Sequence, residues 1–349
     1  MFLLNTWYVA AMASEITADS LLARTICDER IVLFRDAAGA VSALEDRCSH
    51  RGLPLSCGKK VGGNVECGYH GLIFGATGQC LKVPGQDLVP VNASVRRYAV
   101  VERDQLIWIW MGSLEAAVPD RIPDLGYHNE PGVWAHRGGV LPLKCNYMLI
   151  VDNLMDLSHI GYVHGSIVNV DPSDHSNAET TVNRAADNVT VTRLMRNVTS
   201  PDVYLRAVKF KGKIDRWQQC VLHAPSNILQ ETRGSDVGTG VDAAVPPPGG
   251  VRLRVFHGLT PETEKSSFYF WTAAHAHRPD DPAVTEQLYK DIDATIREDV
   301  EVLEKQQSTL DRYPDRNYVD IESDKPRLQG RRFVERLIMA EQSVPAEMR

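Results

Sequence analysis

The first third of the chain alternates short runs of β-branched and aromatic residues with Gly- and Asp-containing breaks. Ile31–Phe34 and Val41–Leu44 flank Asp36–Gly39, which predicts two strands joined by a hairpin turn. Tyr98–Val101 continues the pattern, and the aromatic and β-branched content of Leu106-Ile107-Trp108-Ile109-Trp110 predicts a buried strand rather than a helix. Everything up to residue 112 is expected to be all-β, with Gly112–Pro123 as a boundary. From Gly126 onward the pattern mixes. Strands are predicted over Thr190–Leu194, Tyr204–Phe210, Val251–Phe256 and Ser267–Trp271, and helical segments around 146–160 and 284–307. This mixture predicts an α+β second domain, and the chain divides as 1–115 and 116–349. Gly234–Gly250, with its Pro246-Pro247-Pro248-Gly249-Gly250 core, predicts a loop.

The second helical segment carries an anomaly. Val284, Leu288, Ile292, Ile296, Val300 and Leu303 form one apolar stripe, and at about 100° per residue Asp299 falls inside it, while Glu298 and Asp291 are expected on the opposite face. A carboxylate turned into an apolar stripe is costly unless it is paired or binds a metal. The first helical segment is also rich in polar chemistry. Asn153, Asp156 and His159 stand at i, i+3 and i+6, on one line of a helix face. His164 lies five residues past His159, so the two can share a metal only if the helix ends or bulges near Gly161. Two such histidines with Asp299 would form the facial triad of non-haem Fe(II) oxygenases, which leaves positions open for O2.

A second constellation lies in the all-β part. Cys48-Ser49-His50 is followed, after sixteen intervening residues, by Cys67-Gly68-Tyr69-His70. Two thiolates and two imidazoles in two short loops suit a structural zinc or a Rieske 2Fe-2S cluster. The glycines at 52, 68, 71, 75 and 78, and the absence of a Cys-x-x-Cys pair here, favour the cluster, held by Cys48, His50, Cys67 and His70. The remaining cysteines, Cys27, Cys57, Cys80, Cys145 and Cys220, are expected to be small buried hydrophobes.

Composition changes the picture only by exclusion. The 349 residues are 43% hydrophobic and 24% charged, which is ordinary for globular domains. A formal charge of -7 with no basic block gives no nucleic-acid footprint. No apolar run approaches the ~18 residues of a membrane span, and the N-terminal residues lack a basic n-region, so a cytoplasmic location is expected. Seven scattered cysteines argue against a disulfide framework.

With both metal constellations in place, the chain resembles the Rieske non-haem iron oxygenases, in the branch that contains the vanillate and dicamba O-demethylases. The resemblance is carried by Asn153-Leu154-Met155-Asp156-Leu157-Ser158-His159-Ile160-Gly161-Tyr162-Val163-His164, by Asn5-Thr6-Trp7-Tyr8-Val9-Ala10, and by Leu259-Thr260-Pro261-Glu262-Thr263-Glu264, placed near the pocket. It implies an all-β Rieske domain followed by a helix-grip α+β catalytic domain with an antiparallel sheet. It also implies a homotrimer in which the cluster of one subunit serves the iron of its neighbour. In that arrangement Asp156 bridges His70 to His159 across subunits and orients His159, and Asn153 sits near the junction. His257 matches a pocket histidine that contacts a carboxylate, which implies an aromatic acid as substrate. Trp271, Asn227 and Ile228 are further candidates for the pocket wall. The implied reaction is O-demethylation with formaldehyde release, with ring or methyl hydroxylation and cis-dihydroxylation as alternatives on the same metals. The chain has no nucleotide-binding Gly-rich loop, so electrons from NAD(P)H would arrive through a separate ferredoxin or reductase.

Overall fold

The computed structural model describes residues 1–245 and 247–343. The chain forms two compact units. The first comprises Met1–Ile122, to which Thr260–Glu264 and Glu341–Ser343 are added from later in the chain, and the second comprises Pro123–Leu259 and Lys265–Ala340.

The first unit contains β1 (Trp7–Met12), β2 (Leu22–Ile26), β3 (Glu29–Arg35), β4 (Val41–Glu45), β5 (Lys59–Val61), β6 (Asn64–Glu66), β7 (Ile73–Phe74), β8 (Cys80–Lys82), β9 (Arg97–Arg103) and β10 (Leu106–Trp110). They form a six-stranded sheet in the order β1-β10-β9-β4-β3-β2 and a four-stranded sheet in the order β5-β6-β7-β8. The expected hairpin is present: Ile31 pairs with Glu45 and Arg35 with Val41 around the Asp36 turn, whose carboxylate accepts from the N–H groups of Ala38 and Ala40. All five residues of β10 are buried, because both faces of this strand are covered. Among the other cysteines, Cys27, Cys80, Cys145 and Cys220 are buried as expected, but Cys57 is exposed, at the end of a turn that carries it off the packed face.

The second unit contains β11 (Ala135–Leu143), α1 (Tyr147–Met155), α2 (Ile160–Val163), α3 (Gly165–Val168), α4 (Pro172–Ser176), β12 (Glu179–Arg184), β13 (Asn188–Val198), α5 (Asp202–Ala207), β14 (Ile214–His223), β15 (Asn227–Asp236), β17 (Ser266–His275), α6 (Pro282–Arg312), and all but the last residues of β16 (Val251–Thr263) and α7 (Lys325–Gln342). Its sheet runs β11-β17-β16-β15-β14-β13-β12. The long helix α6 starts at Asp281, whose carboxylate caps the Ala283 N–H at 3.1 Å, with Pro282 in the first turn. Its buried residues are Leu288, Ile296, Asp299 and Leu303, so the apolar stripe and its embedded carboxylate both face inward.

Three expectations fail here. Tyr204–Phe210 is not a strand but falls largely in α5: Pro201 presets the entry, Asp202 sits favourably in the first turn, and Tyr204 turns inward to Thr232. The helix predicted over 146–160 stops at Met155, because Asp156 is extended (φ −119°, ψ 94°) and caps the next turn through Ser158 N–H. The family-like segment Thr260–Glu264 belongs to the first unit, not to the pocket: Thr260 Oγ1 donates to Val9 O at 2.7 Å, and Cys27 N–H donates to Pro261 O at 2.9 Å. Strands β11, β12, β14 and β15, and helix α7, carry no clear pattern in the sequence.

Candidate metal centres and substrate cavity

The two Cys/His loops of the first unit close in the same way. Cys48 N–H donates to Leu53 O at 2.8 Å and Gly52 N–H to Cys48 O at 2.9 Å; Cys67 N–H donates to Leu72 O at 2.8 Å and Gly71 N–H to Cys67 O at 3.1 Å. Gly52 (φ +75°) and Gly71 (φ +72°) occupy the left-handed conformation that makes these turns. The histidine stands two residues after the cysteine in one loop and three after it in the other, on otherwise matching backbones. Cys48 and Cys67 are buried, their thiols within hydrogen-bonding reach, and burial pushes the Cys48 thiol up. His50 and His70 are exposed, with ring centroids 4.6 Å apart. Two buried thiols beside two outward imidazoles fit a cluster with one sulfur-ligated and one nitrogen-ligated iron.

The second centre brings together residues remote in sequence. His159 Nε2 and His164 Nε2 face Asp299 Oδ1 at 3.4 and 3.2 Å, and one ligand atom from each of the three lies within 4.8 Å of the others. The break near Gly161 that this demands is present. A tight turn over Leu157–His159 leads into the single turn of α2 and then into α3, so the two rings meet with centroids 5.4 Å apart. Gly161 permits it, since a Cβ there would lie 2.4 Å from Pro172 Cα.

The outer nitrogens fix the ring orientations. His159 Nδ1–H donates to the Asp156 main-chain O at 2.7 Å, and His164 Nδ1–H to Glu298 Oε2 at 2.8 Å, which turns both Nε2 atoms toward Asp299. Burial would raise the Asp299 pKa, but the two histidines outweigh it and hold the carboxyl well below the usual range. Asn153 Nδ2 also donates to Asp299 Oδ1, at 2.9 Å. Two imidazoles with outer partners and one buried carboxylate form a donor set that could hold a divalent iron.

Glu298 and Asp291 therefore do not point to the opposite face. Glu298 is only about 100° from Asp299 on the helix and reaches His164, and Asp291, eight residues before Asp299, lines the same cavity. Asp156 also differs from expectation, because it holds His159 through its carbonyl and turns its carboxylate toward Arg193 Nη1, at 3.6 Å.

A cavity of ≈140 Å³ opens beside the triad. Its apolar wall includes Leu157, Ile160, Leu253, Val255, Ile292 and Ile296, and its polar wall includes Arg216, Gln218, Gln230, Thr232 and His257. His257 is in the wall as expected, but both ring nitrogens are bonded, Nδ1 with Tyr269 OH at 2.7 Å and Nε2 with Gln230 Oε1 at 3.0 Å. Burial lowers its pKa to about 3, so the ring is neutral. Trp271, Asn227 and Ile228 are absent from the wall. Trp271 is stacked on Tyr289, with ring centroids 5.1 Å apart. Asn227 has the opposite strand parity from Gln230, and Ile228 lies beyond the cavity at the buried start of β15. Gln218 and Arg216 were not singled out from sequence. The available signal was a pair of polar residues at successive inward positions of a strand whose other inward residues are Ile214, Cys220 and Leu222.

Comparison with known proteins agrees with both centres. Residues 6–94 match the Rieske [2Fe-2S] domain, and residues 143–340 match the vanillate O-demethylase oxygenase C-terminal domain. The chain belongs to the Rieske non-haem iron oxygenases with a vanillate O-demethylase type of catalytic domain, and is an oxidoreductase of that class. It is 38% identical to the iron-sulfur subunit of a toluene-4-sulfonate monooxygenase system of Comamonas testosteroni, over 98% of both chains. It is 39% identical to the vanillate O-demethylase oxygenase subunit of Pseudomonas sp. strain HR199, over 98% of this chain and 96% of that one. A crystal structure of dicamba monooxygenase with non-haem iron and dicamba superposes with a TM-score of 0.82 and 31% identity, over 98% of this chain and 99% of that one. No helix among the described residues is long and apolar enough to cross a membrane.

Proposed function

We propose that this chain is the terminal oxygenase component of a multicomponent system that O-demethylates a small methoxyaromatic acid, releasing formaldehyde. The observation that carries the reading is the triad of His159, His164 and Asp299, set at the edge of a largely apolar cavity. Those three residues would hold a mononuclear iron, and Cys48, Cys67, His50 and His70 a 2Fe-2S cluster. When bound, the two groups supply O2 activation and the delivery of single electrons.

The protein's own residues do the positioning. Glu298 and the Asp156 carbonyl lock the two imidazoles, and Asn153 holds Asp299. The apolar wall receives an aromatic ring and excludes water from the reacting carbon. His257, Tyr269 and Gln230 form one bonded row that stiffens the opposite wall. Hydroxylation of a methoxy carbon consumes one O2, two electrons and two protons; it yields water and a hemiacetal, which collapses to a phenol and formaldehyde. The electrons would come from NAD(P)H through a separate reductase or ferredoxin, in a cytoplasmic homotrimer where Asp156 is the electron-transfer contact between subunits. The 38% identity to a toluene-4-sulfonate monooxygenase subunit supports a second reading, hydroxylation of a ring methyl group.

The test is a reductase-coupled assay on the iron-loaded protein with methoxybenzoates and toluene-4-sulfonate, reading O2 uptake, formaldehyde and product mass. One formaldehyde per O2 is expected from a methoxybenzoate. A hydroxymethyl product without formaldehyde would replace demethylation by methyl hydroxylation, and a cis-diol would replace both.

A further inference from the structure

The cavity wall holds one cation that the iron ligands leave without an acid. Arg216, on β14, is 3% exposed and lines the cavity. Its Nη1 stands 3.2 Å from His175 Nε2, its Nε has no hydrogen-bond partner, and its Cζ lies 5.4 Å from the Tyr204 ring centroid. Among the described residues no carboxylate comes within ion-pairing distance of it, and Asp174 interacts with it only at longer range. The other buried arginines of the sheet are matched: Arg193 faces Asp156 at 3.6 Å, and Arg233 meets Glu231 at 2.6 Å. His175 is no substitute for an anion, because burial, with Arg216 and Arg193 beside it, lowers its pKa to about 2.

Two residues along the same strand face, Gln218 is also 3% exposed and lines the cavity, and its Oε1 has no partner. The sheet makes room for this pair. Arg216 lies opposite Gly234, where a Cβ would fall 2.8 Å from the Tyr204 ring, and Gln218 lies opposite Thr232, whose hydroxyl bonds Tyr204. A buried guanidinium without an anion is costly, and its planar fork suits a carboxylate or sulfonate.

We infer that Arg216, with the amide of Gln218 beside it, is the anchor for the anionic head of the aromatic substrate. His257, neutral and bonded at both nitrogens, is then a positioning residue for Gln230 rather than the anion's partner. The inference rests on the reading of this cavity as the substrate site, but not on which carbon is oxidised.

The test is calorimetric binding to the anaerobic holoenzyme of 4-methoxybenzoate, toluene-4-sulfonate and the uncharged 4-methoxybenzamide. Both anions should bind at least tenfold more tightly than the amide. Arg216→Gln should remove that preference, raising the Kd of the anions about thirtyfold and that of the amide less than threefold. Arg216→Lys, which keeps the charge but not the fork, should lose at least half of the preference on a logarithmic scale, and serves if the glutamine variant does not fold. Equal binding of acid and amide by the wild type, binding of neither anion, or a preference undiminished in either variant would overturn the anchor. Loss of preference in the variants of an enzyme that never releases formaldehyde keeps the anchor and removes only the demethylation reading.

Discussion

The two candidate metal centres are built on opposite principles. The Cys/His loops of the first unit take all four ligands from one stretch of 23 residues, Cys48 to His70, as two turns closed by the same pair of backbone hydrogen bonds. The imidazoles are exposed and the thiols buried. The triad of the second unit joins His159 to Asp299, 140 positions apart in sequence, and it buries its carboxylate to 6% exposure. The first centre is local in sequence, although its two cysteines are buried in one cluster with Val32 and Phe34 of β3 and Leu44 of β4. The second exists only once a broken helix and a long helix have packed together, so its integrity reports on the tertiary fold.

The comparison predicts that the centres fail independently, and this is the largest effect expected. Asp299→Ala should reduce turnover at least a thousandfold and bring mononuclear iron close to zero, with the visible absorption and sulfide content of the cluster unchanged. Cys67→Ser should do the reverse, bleaching the cluster and keeping the iron. Iron and sulfide analysis beside absorption spectra checks both; loss of both metals in either variant would mean that the two centres are one folding unit.

The next effect separates two roles of one residue. Asp156 orients His159 by its main-chain carbonyl, while its carboxylate faces Ser158 N–H and Arg193. Asp156→Asn should therefore retain iron fully and lower turnover by at least tenfold if the carboxylate carries the inter-subunit contact. Wild-type turnover would end that role, and lost iron would show that the side chain supports the ligand after all.

Legibility in the sequence follows the same divide. The Rieske domain was readable because the two Cys/His pairs are contiguous in chemistry and spacing, and the β3–β4 hairpin because alternation and a turn coincide. Asp299 was readable because a carboxylate in an apolar helix stripe is an energetic contradiction. What escaped depends on packing. Asp156 breaks the helix that periodicity continues, and Tyr204 turns into a wall made by β14 and β15, whose alternation is masked by polar inward residues. Arg216 and Gln218 are such residues, polar on the inner face because that face borders a cavity rather than a core. Glu298 shows the limit of a one-face helical wheel, since α6 presents adjacent residues to His159 and His164 together.

A smaller effect probes the outer partner of His164. Glu298→Gln replaces the carboxyl acceptor of His164 Nδ1–H by an amide, so the imidazole becomes a weaker ligand. Iron affinity should fall by roughly tenfold, seen as faster loss of iron to a chelator, with the cluster spectrum untouched. An unchanged rate of loss would mean that this partner does not tune the site.

The smallest expected effects contrast two glycines that serve these centres for different reasons. Gly52 has φ +75°, and a Cβ added to it would meet nothing within 4 Å, so only its backbone conformation demands glycine. Gly52→Ala should cost about 1 kcal/mol, the ordinary penalty of a left-handed alanine, and leave the cluster in place. Gly161 has no such conformational need, but a Cβ there would collide with Pro172 Cα at 2.4 Å, and backbone cannot swing aside as a flexible side chain would. Gly161→Ala should cost about 1–3 kcal/mol, the range for overpacking, and the strain is relieved by shifting α2, which carries the chain from His159 to His164. Iron occupancy should thus fall with melting temperature in this variant, while Gly52→Ala lowers melting temperature alone. Full iron with a wild-type melt in Gly161→Ala would show that the close contact with Pro172 does not set the spacing of the two histidines.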